Sequence, residues 1–382
     1  MGYFVIGLSS RIFGTPISFM LRKPISTLPQ SNELLVNFLA ACFNNTSATY
    51  KFYWFLAILE MAEKGKLNPT KRELFASMIS NAWFTVNYFH VSFGKQDLIQ
   101  EAVHAIKLLE GISIDEKQEI ISKRLIASEQ IETYKKLHHF DKQVPHWFLS
   151  PWFPKLLNET DGQRRNRIYI QSQSFQNKCL YALFDEHIEI NSDWWDYLHF
   201  NTAVLKEFCY WNLALFLQAK NPNVPDIPNK VIKPALRNSL QLQRAKYWDI
   251  VFQELGDMDC IYTNTKLNSK NYAVEHFIPY NFVAHDLIWN LIPASKSFNS
   301  TKSDKIPSLE KYFDAFYQLQ CQAIEVIQHK EPKNKFLQDY LTIFPDADNY
   351  AFALLENKSK FKEQFQPLVT IALNNGFEML TV

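Results

Sequence analysis

Glycine is scarce in this sequence: 9 of 382 residues, against 17 prolines. Few glycines beside long apolar-periodic runs argue against an all-β chain and against a dinucleotide-binding α/β fold. Walker A and GxGxxG phosphate loops are missing as well, so neither ATP nor NAD is expected as a bound cofactor. The five cysteines, Cys42, Cys179, Cys209, Cys260 and Cys321, are odd in number and widely scattered. They form neither a disulfide framework nor a zinc-ligand spacing, which fits a reducing cytosol. No stretch approaches the roughly 20 apolar residues of a membrane span, and Arg11 with the proline-containing run after it breaks a signal-peptide reading. The net charge is only +1, so any nucleic-acid surface has to be a local patch. Together these absences lead to the expectation of a cytoplasmic protein with no membrane association.

What the chain does contain is aromatic and helical. Residues 1–30 are irregular, punctuated by Gly14, Pro16, Pro24 and Pro29. Ser31-Asn32-Glu33 reads as a helix start before the run Leu34 to Phe43. Tyr50 to Lys64 is apolar nearly all round and predicts a buried helix. Asn68-Pro69-Thr70 with Glu73 three residues on predicts another helix start. Asp97 to Leu109 and Ser113 to Leu137 are the next two helical runs. The stretch Val144 to Pro154 changes character to aromatics and prolines. Its aromatics pin one helical layer to the next; the alternative is a base-stacking platform beside Arg164, Arg165 and Arg167. Arg167–Ile170 and Leu180–Phe184 are β-prone. Asn191 caps a helix running to Gln218, and the three prolines of 221–229 mark a boundary. A helix from Pro234 to Gly256 carries Arg237, Arg244 and Lys246. These charges either lie along a phosphate backbone or are simply solvated, and the sequence leaves both readings open. Helices opening at Ser308, Asn334, Asp346 and Lys358 complete the chain. Four regions are expected: helical 1–139, aromatic-rich 140–228, a lead-in helix with a chemical module at 229–310, and C-terminal helices at 311–382.

The chemistry is concentrated between Cys260 and Asp304. A short apolar strand ends in Glu275-His276, followed by Phe-Ile-Pro. A loop carries Asn290 in Trp289-Asn290-Leu291-Ile292-Pro293, and the last segment carries Asn299 and, three residues on, Lys302. Hydrolysing a phosphodiester needs a base for water, a cation on the leaving oxygen and positive charge on the phosphate. An imidazole, a carboxylate, two amides and a lysine supply those parts. The order, spacing and flanking residues resemble the HNH (His-Asn-His) nuclease family in its Asn-ending variant, the one also found in the cleavage domain of RNA-guided CRISPR effector nucleases. The resemblance covers about 45 residues.

That resemblance implies a two-stranded hairpin with a helix across it and one divalent ion, so the fold class expected is mainly α with a small embedded ββα-metal module, α+β overall. It implies His276 as general base, Glu275 and Asn299 as ligands of Mg2+ or Mn2+, Asn290 as a loop-fixing amide, and Lys302 as a phosphate or electrostatic residue. It implies metal-dependent hydrolysis of DNA to 3′-hydroxyl and 5′-phosphate ends, in bacterial restriction or phage defence. The family most often has Asp before the His; Glu275 moves the carboxylate by roughly a bond length, a large displacement at octahedral magnesium. CxxC pairs for a structural zinc, carried by many members, are missing, so packing must hold the hairpin and no structural zinc is expected. The non-enzymatic alternative is a decayed nucleic-acid-binding or scaffold subunit, and a third reading is a nuclease activated by a partner protein. A homo-oligomer is also compatible with the sequence. His285, in the loop after the strand, could approach the phosphate, or be an exposed loop histidine. The remaining histidines show no metal-ligand spacing and are read as structural.

Overall fold

A computed structural model describes residues 28–232 and 239–381. The predicted irregular segment up to residue 27, and Pro234 to Asn238 of the lead-in helix, lie outside the described residues. The described residues are mainly α, with three small antiparallel strand pairs among them.

The first layer is built from α1 (Val36–Ala41), α2 (Tyr50–Glu63), α3 (Lys71–Asn87) and α4 (Leu98–Glu110). Ten of the fourteen residues of α2 are buried, as its all-round apolar composition requires. Helix α3 starts at the capping box expected from Thr70 and Glu73: the Thr70 hydroxyl accepts from the Glu73 amide, and the Glu73 carboxylate accepts from the Thr70 amide at 2.9 Å. Asp97 caps α4 through the Ile99 amide at 3.0 Å.

The single helix expected from Ser113 to Leu137 is instead two, α5 (Gln118–Ala127) and α6 (Ile131–His138). They are separated where Ser128 turns extended (φ −62, ψ 131). Apolar spacing alone cannot register such a break, because the period resumes after it. The aromatic stretch contains α7 (Val144–Phe148) and leads to α8 (Asp161–Ser172). Arg167–Ile170, β-prone by composition, lies inside α8. Its start is fixed by a second capping box, Thr160 with Gln163, and the helical hydrogen bonds override a local preference that is context-dependent. Phe148, Trp152 and Phe153 are buried, with Trp152 edge-on to Trp194 at 5.9 Å. These three rings pin layers together and are not a stacking platform; Trp147 is only half-buried.

Strands β1 (Tyr181–Leu183) and β2 (Ile188–Ile190) form a small hairpin ahead of the 29-residue α9 (Ser192–Lys220), capped by Asn191. The lead-in helix is described from α10 (Gln241–Gln243) through a π turn at Arg244–Trp248 into α11 (Asp249–Leu255). Then come β3 (Met258–Asp259), β4 (Lys266–Leu267), β5 (Tyr272–His276), α12 (Tyr280–Val283), β6 (Leu291–Ser295) and α13 (Lys296–Lys302). Helix α14 (Leu309–Lys330), capped by Ser308, a 3-10 segment Lys335–Thr342, α15 (Tyr350–Glu356) and α16 (Lys358–Asn374) close the chain.

No described helix is long and apolar enough to cross a membrane. The hairpin β5–β6 is enclosed on one side by a phenylalanine cluster: Phe277 stacks on Phe316 at 4.0 Å and meets Phe365 edge-on at 5.7 Å. Aromatic burial of this kind contributes packing that a zinc clip supplies elsewhere. Gln320 of α14 donates to the Leu291 carbonyl at 2.7 Å, and Tyr340 donates to the Gln320 carboxamide at 2.5 Å, so the C-terminal helices hold the hairpin's second strand directly.

Candidate active site

Strand β5 pairs with β6 in antiparallel register, placing His276 opposite Leu291 and Glu275 opposite Ile292. These two adjacent residues close the ladder and meet different partners. Glu275, on the α13 side, accepts from the Lys302 ammonium through Oε1 at 2.7 Å. His276, on the loop side, bonds Asp286 from Nε2 at 2.9 Å and meets the Tyr280 ring edge-on at 5.6 Å. Both side chains are buried, at 7% and 2% exposure.

Lys302 joins these two positions. Its ammonium also donates to the His276 carbonyl at 2.9 Å, and its side chain is fully buried. The charge is therefore directed at the strand end and not at solvent. A buried ammonium is tolerated only with a paired carboxylate and satisfied hydrogen bonds, and Lys302 has both. Its position follows from the helix: Ser295 caps α13 by accepting from the Phe298 amide at 3.2 Å, and Lys302 lies two turns on.

The Asn290 side chain bonds the backbone just past β5. Its amide closes a two-bond ring with one residue of the opposite strand exit: Oδ1 accepts from the Ile278 amide at 2.8 Å and Nδ2 donates to the Ile278 carbonyl at 2.8 Å. The Asn290 carbonyl accepts from the Phe277 amide at 2.7 Å. With no exposed surface, Asn290 extends the β ladder past its last residue pair, and so sets the direction in which the chain leaves His276.

Asp286 carries no motif signal, and sequence reasoning missed it. It follows α12, which ends at Ala284 in the left-handed region (φ 58), a conformation that costs a non-glycine residue roughly 1 kcal/mol. That reversal turns the chain back toward β5. The loop is fixed further on, where the Ile288 amide donates to Asp339 Oδ2 at 2.8 Å. A carboxylate has only acceptors, so His276 donates from Nε2, and when neutral it carries its lone pair on Nδ1. His285 is half-buried and lined up against Trp289, ring centroids 5.2 Å apart. Burial, with the neighbouring His276 adding to it, lowers its pKa to about 4.

Asn299 is half-buried on α13, one turn before Lys302, and its carbonyl accepts from the Ser303 amide at 3.2 Å. Among the described residues no three His, Cys, Asp or Glu side chains cluster as a metal site. Glu275 and Asn299 would each offer a hard oxygen of the kind magnesium takes, which otherwise keeps waters or phosphate oxygens in its shell, and Lys302 engages Oε1 of Glu275.

Arg244 lies against the module. Its Nη1 donates to the Tyr272 carbonyl at 3.0 Å, its Nη2 to the Ser269 carbonyl at 2.8 Å, and its guanidinium stacks over the Tyr272 ring at 4.2 Å. Of the two readings left open for the lead-in helix, Arg244 therefore follows neither: it clamps the start of β5. Lys246 is exposed, and Arg237 lies outside the described residues.

Residues 260–308 match a family model described as HNH endonuclease. No curated protein and no solved structure matches the chain.

Proposed function

We propose that this chain, whose residues 260–308 form an HNH endonuclease module, hydrolyses phosphodiester bonds of DNA with His276 as the base. The observation that carries the reading is the hydrogen bond from His276 Nε2 to Asp286, which holds the imidazole in the tautomer a base requires. His276 Nδ1 takes a proton from water. The resulting hydroxide attacks phosphorus, the bond to the 3′ oxygen breaks, and that oxygen takes a proton from solvent water, so that a 3′-hydroxyl and a 5′-phosphate remain. Asp286 offsets the charge that His276 gains, and acts as a positioning residue. A divalent cation held by Glu275 and Asn299 would offset charge on the phosphate and the departing oxygen. Asn290 keeps the strand exit fixed, and Lys302 keeps Glu275 oriented from below. A role in restriction or phage defence follows from the family resemblance alone.

A second reading is favoured by one observation. The Lys302 ammonium already neutralises Glu275, as in a scaffold whose nuclease site no longer takes an ion. Incubating supercoiled plasmid with the protein, with magnesium, manganese or EDTA, and with His276→Ala alongside, decides between them. Metal-dependent nicking lost in the variant supports the enzyme. Equal DNA binding by both proteins with no cleavage supports the scaffold, and cleavage that survives in the variant removes His276 from its assigned role.

A further inference from the structure

Far along the chain from the hairpin, a cavity of about 660 Å³ opens between the turn at residues 44–48, the first turn of α2, α7 and the start of α8. Its volume lies within the range of small-molecule sites. Lys51, Lys155 and Arg164 line it, and among the described residues no Asp or Glu does. Lys51 donates to the carbonyls of Cys42 at 3.0 Å and Asn45 at 3.4 Å. Arg164 donates from Nε and Nη2 to the carbonyls of Ser150 and Phe153. Carbonyls satisfy hydrogen bonds but do not cancel charge. Burial, with the Arg164 charge adding to it, lowers the pKa of Lys51. The nearby acids bond other cations, Glu159 holding Arg167 at 2.7 Å and Asp161 meeting the exposed lining residue Lys155 at 3.2 Å, and the Arg164 charge also acts on Glu159.

Donor arithmetic points the same way. An ammonium has three N–H groups and a guanidinium five. After the bonds above, one proton on Lys51 and the pair on Arg164 Nη1 have no acceptor among the described residues. The half-buried Trp147 lines the same cavity, with the Arg164 guanidinium over its ring, 5.6 Å from the centroid. An indole in a cavity lined by cations and by no carboxylate is a surface for a flat ring that carries an anion. The turn at 44–47, Asn-Asn-Thr-Ser, adds amide and hydroxyl groups at the rim.

We propose that this cavity binds a nucleoside phosphate, the phosphate between Lys51 and Arg164 and the base against Trp147. The same chemistry is presented by a free nucleotide and by the phosphorylated end of a nucleic-acid strand. The inference uses no residue of the nuclease module and does not depend on cleavage.

The test is isothermal titration calorimetry on the full chain in EDTA, with inorganic phosphate, AMP, ATP and a 5′-phosphorylated tetranucleotide as probes. Saturable binding of a nucleotide or of the tetranucleotide is expected, weakened about tenfold or more by Trp147→Ala and weakened by Lys155→Glu at the rim. Binding of AMP or ATP identifies a free nucleotide as the occupant; binding of the tetranucleotide alone identifies a strand end. Lys51→Met should abolish binding, but it removes a half-buried contact, so the Trp147 and Lys155 variants decide the question if it fails to fold. No binding by any nucleoside phosphate overturns the proposal. So does binding no tighter than inorganic phosphate, or binding unmoved by Trp147→Ala.

Discussion

Asp286 accepts a hydrogen bond from His276 Nε2 at 2.9 Å across the loop that joins the two strands of the hairpin. If the imidazole is the base, this contact decides which nitrogen does the work. Asp286→Asn should lower kcat by roughly 10²-fold, within the range that acid–base positioning supplies, with KM little changed. In 15N spectra the His276 ring should lose its Nε2–H signature. Combining Asp286→Asn with His276→Ala should add little to the loss from His276→Ala alone, because the two residues act as a unit. Full additivity would separate Asp286 from the base.

The Lys302–Glu275 pair at 2.7 Å is buried on both sides. Removing one partner leaves a buried charge uncompensated, which costs about 3–5 kcal/mol. Lys302→Met should therefore destabilise by about that much in urea titrations, while Lys302→Met with Glu275→Gln should recover most of it. If the double variant is no better than the single one, the pair is not coupled as described.

Asn290 presents both a donor and an acceptor to Ile278. Asn290→Ala strands two buried backbone groups at about 1–3 kcal/mol each. Asn290→Asp should not rescue, because a carboxylate cannot donate to the Ile278 carbonyl. Thermal unfolding of the two variants checks this, and recovery by Asp would show that only the acceptor matters.

Two histidines set an acid limit. Burial lowers the pKa of His146, with Lys71 next in effect, and of His285, each to about 4. A base held below its ordinary value takes up its proton later in the folded chain than in the unfolded one. Its contribution is complete above about pH 6.5 and is lost as the pH falls toward 4. The shift corresponds to about 3 kcal/mol for each residue. Urea midpoints at pH 7.5 and 5.0 should fall steeply for the native chain and less for His146→Leu combined with His285→Leu. Equal slopes would assign the acid sensitivity to other groups.

Much of this protein is written in spans of three or four residues. The Thr70–Glu73 capping box, the Asp97, Asn191 and Ser308 caps and the buried α2 were all readable, because caps and periodic burial are local. The hairpin was readable too, because β5 and β6 carry the flanking residues of a known motif. Composition misled at Arg167–Ile170, where a capping box outside the β-prone stretch chose the helix. What tertiary structure alone decided is partnership. Asp286 reaches His276 because Ala284 reverses the chain and Asp339 fixes the returning loop. Lys302 faces Glu275 because the α13 cap at Ser295 sets the helix's rotation over β5. Arg244 grips Tyr272 from 28 residues away. Residue type and spacing determine which groups are available, whereas the path of the backbone determines which of them come within 3 Å of one another.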